Sequence, residues 1–160
     1  SASGNTTLAG TLNVSGNTTI AGSLSAVNYE GLKGEQGYVT NSSLSGTFNY
    51  DFENGHVHTY MSATSSNYTP NFRVASSTTL ASKTTTGDVV SATLFVASSS
   101  HYCGSSVQVD GTTTNVTTEW VGGSAPSSAN GSGYDIYSFT IVKTANTPAY
   151  TVFANAIAAA

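Results

Sequence analysis

Residues 48–61 read FNYDFENGHVHTYM. Apolar and polar side chains alternate strictly, which is the two-residue period of a strand with one buried face. Asn54-Gly55 sits in the middle, and Asn-Gly between alternating segments is the strongest short hairpin signal. Folding about that pair puts Phe48, Tyr50, Phe52, Val57, Thr59 and Met61 on one face, expected to be core. Asn49, Asp51, Glu53, His56, His58 and Tyr60 share the other face, expected to meet water or a neighbouring chain.

The same texture continues downstream. In residues 88–97, Val90, Ala92, Leu94 and Val96 fall on one side. Asp110-Gly111 offers a second hairpin, with Cys103, Val107, Val109, Val116 and Trp120 in phase around it. Residues 134–143 align Tyr137, Phe139 and Ile141, and 149–157 form a further strand. Many short strands separated by Gly, Asn and Ser turns predict an all-β head over 46–160. The expected form is an antiparallel β-sandwich of jelly-roll type.

Composition narrows the possible functions. Charged residues are 8% of the 160 and the net charge is −4. No basic patch is present to neutralise phosphates, so nucleic acid is not an expected partner. Ser, Thr, Asn and Gly outnumber strong helix formers. No run approaches the roughly 18 apolar residues of a membrane span, so no membrane insertion is expected. There is one cysteine, Cys103, which excludes an intrachain disulfide. Sequons at Asn5, Asn67 and Asn115 are no more than a chain so rich in Asn, Ser and Thr produces. The chain opens without Met or a basic leader, and residue 1 is read as an internal position of a longer protein.

Residues 3–14 and 15–26 are two copies of one phrase, SGNTTLAGTLNV and SGNTTIAGSLSA. Leu8 and Leu12 recur as Ile20 and Leu24 at the same phase. Two repeats are too few for a single-chain solenoid. Three chains around one axis would supply the missing contacts, so 1–28 is read as a short intertwined trimeric β shaft. Gly31, Gly34 and Gly37 follow at the spacing of a triple helix, where only Gly fits the axis. Residues 29–45 are therefore read as a collagen-like neck. A polar linker and a Gly-containing hinge are the alternatives for these two segments.

Two stretches resemble a known group of proteins. Residues 117–144, TTEWVGGSAPSSANGSGYDIYSFTIVKT, combine Trp120, Gly122-Gly123, Ala125-Pro126 and Asp135 before Tyr137-Ser138-Phe139-Thr140. Together with FNYDFENGHVHTY, this resembles the C-terminal head of tail-fibre-like and collagen-like structural proteins of marine and cyanobacterial phages. GNTTLAGTL is similar to phage-fibre shaft repeats. The resemblance covers most of the chain. It implies a homotrimeric virion fibre with a β-rich head, located outside the cell. It implies no reaction, and it transfers no binding residue.

Several residues are candidates for chemistry. His56 and His58 are spaced i, i+2 on one strand face. Three such pairs around a threefold axis would present six imidazoles to iron, nickel or zinc. No cofactor is expected unless such an axial ring forms, and cross-strand pairing of Glu53 with His56 and Asp51 with His58 is the preferred reading of the two histidines. His101 and Cys103 share a strand face, but Cys103 falls among apolar residues, where it acts as a small hydrophobe. Trp120, Tyr134 and Tyr102 could form a flat platform for a sugar, with core packing as the alternative for Trp120. The 122–134 loop is an expected recognition element, with Ser127 and Asn130 as polar contacts beside Tyr134 and Tyr102. Only Asp51 and Glu53 form a local pair of carboxylates, so glycan hydrolysis is not expected and no enzyme is predicted.

The sequence thus predicts a phage tail fibre that binds a host-surface polysaccharide or protein through its head. The partners would be two more copies of the chain and other tail proteins. A purely structural virion fibre, decorating a capsid or docking tail parts, is the alternative. A cellular adhesin or surface-layer module is the third reading.

Overall fold

The computed structural model describes residues 37–159, with Ala9, Thr11 and Ser15 before them. The shaft and neck positions Leu8, Leu12, Ile20, Leu24, Gly31 and Gly34 lie outside the described residues.

Among the described residues, nine strands make two sheets. They are β1 (Tyr38–Thr40), β2 (Gly46–Asp51), β3 (Val57–Tyr60), β4 (Tyr68–Arg73) and β5 (Val89–Ala97), followed by β6 (Gln108–Val109), β7 (Val116–Trp120), β8 (Tyr134–Ala145) and β9 (Ala149–Ala159). The larger sheet has the order β1-β3-β5-β8-β9-β7, and the smaller β2-β4-β6. The all-β class and the two-sheet sandwich agree with the sequence reading. The pairing does not follow a jelly roll. Only β5–β8 and β8–β9 are antiparallel, and the other ladders among the described residues are parallel.

Parallel neighbours need a crossover between them. Here the crossover runs through the opposite sheet. Odd strands β1, β3 and β5 stack in one sheet while β2, β4 and β6 stack in the other, so the first half of the head is a flattened coil. Equivalent inward positions fall into register from rung to rung. Tyr38 pairs with His58 and His58 with Leu94, while Tyr50 pairs with Phe72 and Phe72 with Val109. The β8–β9 hairpin then extends the larger sheet, and β7 returns to lie parallel to β9.

This topology corrects the hairpin at Asn54-Gly55. β2 and β3 belong to different sheets and share no ladder. Residues 52–54 form a single 3-10 turn, closed by the Gly55 amide donating to the Phe52 carbonyl at 3.0 Å. Gly55 follows at φ 114°, a conformation that side chains disfavour. The corner consumes more residues than a two-residue loop, which inverts the phase of β3. His58 and Tyr60 point inward, at 1% and 7% exposure, while Met61 is exposed. Neither expected acid–histidine pair forms. Asp51 instead meets Arg73 across β2 and β4, with the Arg73 Nη2 donating to Oδ2 at 3.1 Å.

The Asp110-Gly111 turn is present, with Asp110 at φ 52° and Gly111 at φ 83°. Val109 and Thr112 exchange backbone hydrogen bonds around it. The strands leaving it then part to separate sheets. Cys103, Val107 and Val109 are nonetheless fully buried, with Val116 and Trp120 packed against the same core.

The head also begins earlier than expected. β1 pairs with β3, and Leu44 is 3% exposed in the core. Residues 38–45, assigned above to the neck, therefore belong to the head. Gly37 lies against β3, where an added Cβ would come 3.1 Å from the Val57 carbonyl oxygen.

The core is aromatic. Tyr50, Tyr68, Tyr137, Phe72 and Phe139 are its largest buried side chains. Phe72 meets Phe139 edge-on at 5.0 Å, and Tyr68 meets Tyr137 at 6.0 Å, so rings from the two sheets interlock. The Tyr50 hydroxyl reaches the His56 and Thr93 carbonyls, at 2.7 and 2.9 Å, and bridges β2 to the opposite sheet.

Candidate functional site

Five residues separate the end of β7 from the end of β9. β7 covers β9 only as far as the Trp120–Ala154 pair, while β9 runs on to Ala159. Beyond Trp120 the chain turns back through Gly122 and Gly123, at φ 84° and 79°. The turn is closed by the Gly123 amide donating to the Trp120 carbonyl at 2.9 Å. The 122–134 loop then arches over the uncovered edge of β9 and encloses a cleft of about 440 Å³.

Trp120 forms one wall. Its ring packs edge-on against Tyr137 and Phe139 at 6.4 Å each, and its Nε1 donates to the Ser105 carbonyl at 2.8 Å. Those contacts hold the indole rigid, yet it remains partly exposed to the cleft. Asn130, Asp135 and Asn155 add polar groups, and Val121, Pro126 and Ile157 add apolar surface.

Asp135 organises this end of the molecule. It is 6% exposed and opens β8 pointing inward. Its Oδ1 accepts from the Asn130 amide at 3.0 Å and its Oδ2 from the Ser98 hydroxyl at 2.8 Å. The Ser98 Oγ in turn accepts from the Gly131 amide at 3.0 Å. One buried carboxylate thereby anchors the loop at two successive backbone amides. A Trp face with amide and carboxylate groups can stack on an apolar ring face and hydrogen-bond its hydroxyls. No Lys or Arg lines the cleft.

The residues singled out in the sequence separate into two groups. The structure brings Trp120 and Asn130 together at the cleft. Ser127 is exposed on the same loop but outside the cleft lining. Tyr134 starts β8 on the outer face of the sheet, between Ala97 and Ala159. Tyr102 lies on the segment between β5 and β6, with its amide donating to the Asn67 Oδ1 at 3.1 Å. The three aromatics do not form one platform. Asp135 and Asn155 were missed as site residues. The inward phase of Asp135 with Tyr137 and Phe139 was a usable signal, since a buried carboxylate needs partners. Nothing in the sequence marks Asn155.

The histidine pair is divided by burial. His58 stacks on Tyr50 at 3.7 Å and lies 5.0 Å from Tyr38, inside the sandwich. This corrects its expected placement toward water or a neighbouring chain. Neither ring nitrogen has a hydrogen-bond partner. Burial pushes its pKa below the usual value, since the charged form would lose its hydration. His56 is exposed, with Nδ1 at 2.8 Å from the Ser91 carbonyl. Among the described residues, no three His, Cys, Asp or Glu side chains converge as a metal group would require. Cys103 is fully buried, and burial pushes its thiol up to about 12. His101 turns to Ser99 and to the Thr64 carbonyl instead.

Comparison with protein-family models, curated proteins and solved structures finds no significant match.

Proposed function

We propose that the chain is the shaft-and-head region of a homotrimeric phage-type fibre, exposed on the virion, whose head adheres to a host surface without catalysis. The observation that carries this reading is the cleft at the end of the sandwich. A rigid Trp120 face sits beside Asn130, Asp135 and Asn155 under a Ser/Gly-rich loop. These groups suit a polysaccharide, which offers apolar ring faces and hydroxyls together. With no cation in the lining and a net charge of −4, neutral sugars fit better than acidic ones. Three heads on one stalk would turn weak single-site contacts into avidity.

Staining a panel of cyanobacterial strains with fluorescently labelled chain tests the reading. Asn130→Ala with Asn155→Ala should cut the bound signal about tenfold or more, because each removes a hydrogen-bonding group worth about 1 kcal/mol and three heads act together. Equal staining by the double variant would move recognition away from the cleft. If no strain stains, a structural fibre that docks virion parts is the better account.

A further inference from the structure

The two outer faces of the sandwich differ in kind. The small sheet carries a hydrogen bond from the buried Asn71 to the exposed Asn49, and the partly exposed Asp51–Arg73 ion pair. On the large sheet, the outward positions of β5, β8 and β9 are Val, Ser, Thr, Phe, Ala, Tyr, Ile and Asn, and none is charged. The register aligns an apolar row across it. Val39 lies beside Thr59, then Phe95, Ile136 and Ile157 follow on successive strands. Val39 and Ile157 are 63% and 57% exposed, and Phe153 is 50% exposed in an adjacent row. Glu119 on the edge strand β7, paired with Phe153, puts an acid at the rim.

We infer that this face, apart from Asn155 and Ile157 at the cleft end of β9, is where copies of the chain pack against one another. Six strands at about 4.8 Å spacing and up to about 30 Å long present roughly 600–800 Å², close to the roughly 800 Å² per partner of a stable interface. Charge selects the occupant. The chain carries eight acids against four Lys and Arg. Two copies that meet through most of its surface bring like charges together, which disfavours the contact. Around a threefold axis the outer faces of β5, β8 and β9 can meet one another without that cost. Their Thr and Ser hydroxyls supply hydrogen bonds to an identical partner, and their apolar row supplies the buried centre that interfaces share. A flat uncharged sheet face left in water would be an aggregation hazard instead.

This inference rests on the multi-chain reading of the fibre, and the test separates the two. In the full chain, Ser138→Cys places a thiol on the outer face of β8, and Thr47→Cys places one on the exposed face of β2. Cys103 is buried and serves as a silent background. Maleimide-polyethylene glycol labelling is followed for each variant, beside native mass by light scattering. A multimer in which the Ser138→Cys thiol reacts about tenfold or more slowly than the Thr47→Cys thiol supports the inference, because an interface core excludes reagent as an interior does. Adding Phe153→Lys should then restore fast labelling with the far-UV spectrum unchanged, and continued protection would overturn the inference. A multimer with equal labelling overturns it and leaves the fibre reading standing. A monomer overturns both.

Discussion

Both ring nitrogens of His58 lie in the core without a partner, beside Tyr38 and Tyr50. The fold therefore holds the neutral ring, with its pKa pushed below 6.5 chiefly by burial. The unfolded chain binds a proton there below about pH 6.5, and the native state does not. Stability from this site is complete above that pH and falls as pH drops toward the lower native value. Thermal melts at pH 7.5 and pH 5 should show the acid loss. His58→Phe should remove most of it and gain about 1–3 kcal/mol by deleting two unpaired buried polar atoms while keeping a ring on Tyr50. An acid loss of the same size in the variant would mean that other groups cause it. Cys103 makes a second expectation at this scale. A thiol fully buried and raised to about 12 should resist thiol reagents at neutral pH until the head unfolds. Rapid labelling of native protein would contradict this burial.

At the scale of the element, the excursion between β4 and β5 shows how a long loop is fixed by its two ends. Asp110 accepts from the Leu80 and Ala81 amides, at 2.6 and 2.9 Å. The Lys143 ammonium, 4% exposed, donates to the Ala81 and Thr84 carbonyls. Opposite charges thus hold the donors and acceptors of one short turn. Asp110→Ala should cost about 1.5–3 kcal/mol, the worth of hydrogen bonds to a charged group. Hydrogen exchange at residues 80–84 should rise first, and a variant with unchanged exchange there would refute the tether. Side-chain phase was legible in β5 and β8 but not in β3, whose buried face is the opposite of the expected one. Val90, Ala92, Leu94 and Val96 alternate with outward residues as expected, as do Tyr137, Phe139 and Ile141. The turn residues were legible too. What Asn54-Gly55 does not encode is whether the chain returns beside its own strand or crosses to the facing sheet. Both outcomes need a left-handed residue at a bend. The choice is made by ring contacts between the two sheets, Tyr50 on His58 and Phe72 on Phe139, the second joining residues distant in sequence. The loop residues of the cleft were legible as a segment. Asp135 and Asn155 join it only because β9 outruns β7.

For the whole molecule, we propose association on two separate grounds, the opening repeat in the sequence and the uncharged sheet face. Native mass by light scattering should be three times the 16.3 kDa chain. A stable monomer would leave the repeat as a tether and the outer face of β5, β8 and β9 in water.

The order of strands has a consequence for synthesis. β1 to β6 can wind up rung by rung as they leave the ribosome, because from β3 onward each lies against a strand already made. β7 cannot, since among the described residues its ladder is with β9, which emerges after it. β5 likewise keeps a bare edge until β8 arrives. A nascent chain therefore waits with two unfilled strand positions, and the final hairpin closes both. Until it does, the cleft has no β9 wall and the outer face of β5, β8 and β9 does not exist. Neither recognition nor assembly through them can begin from an unfinished chain.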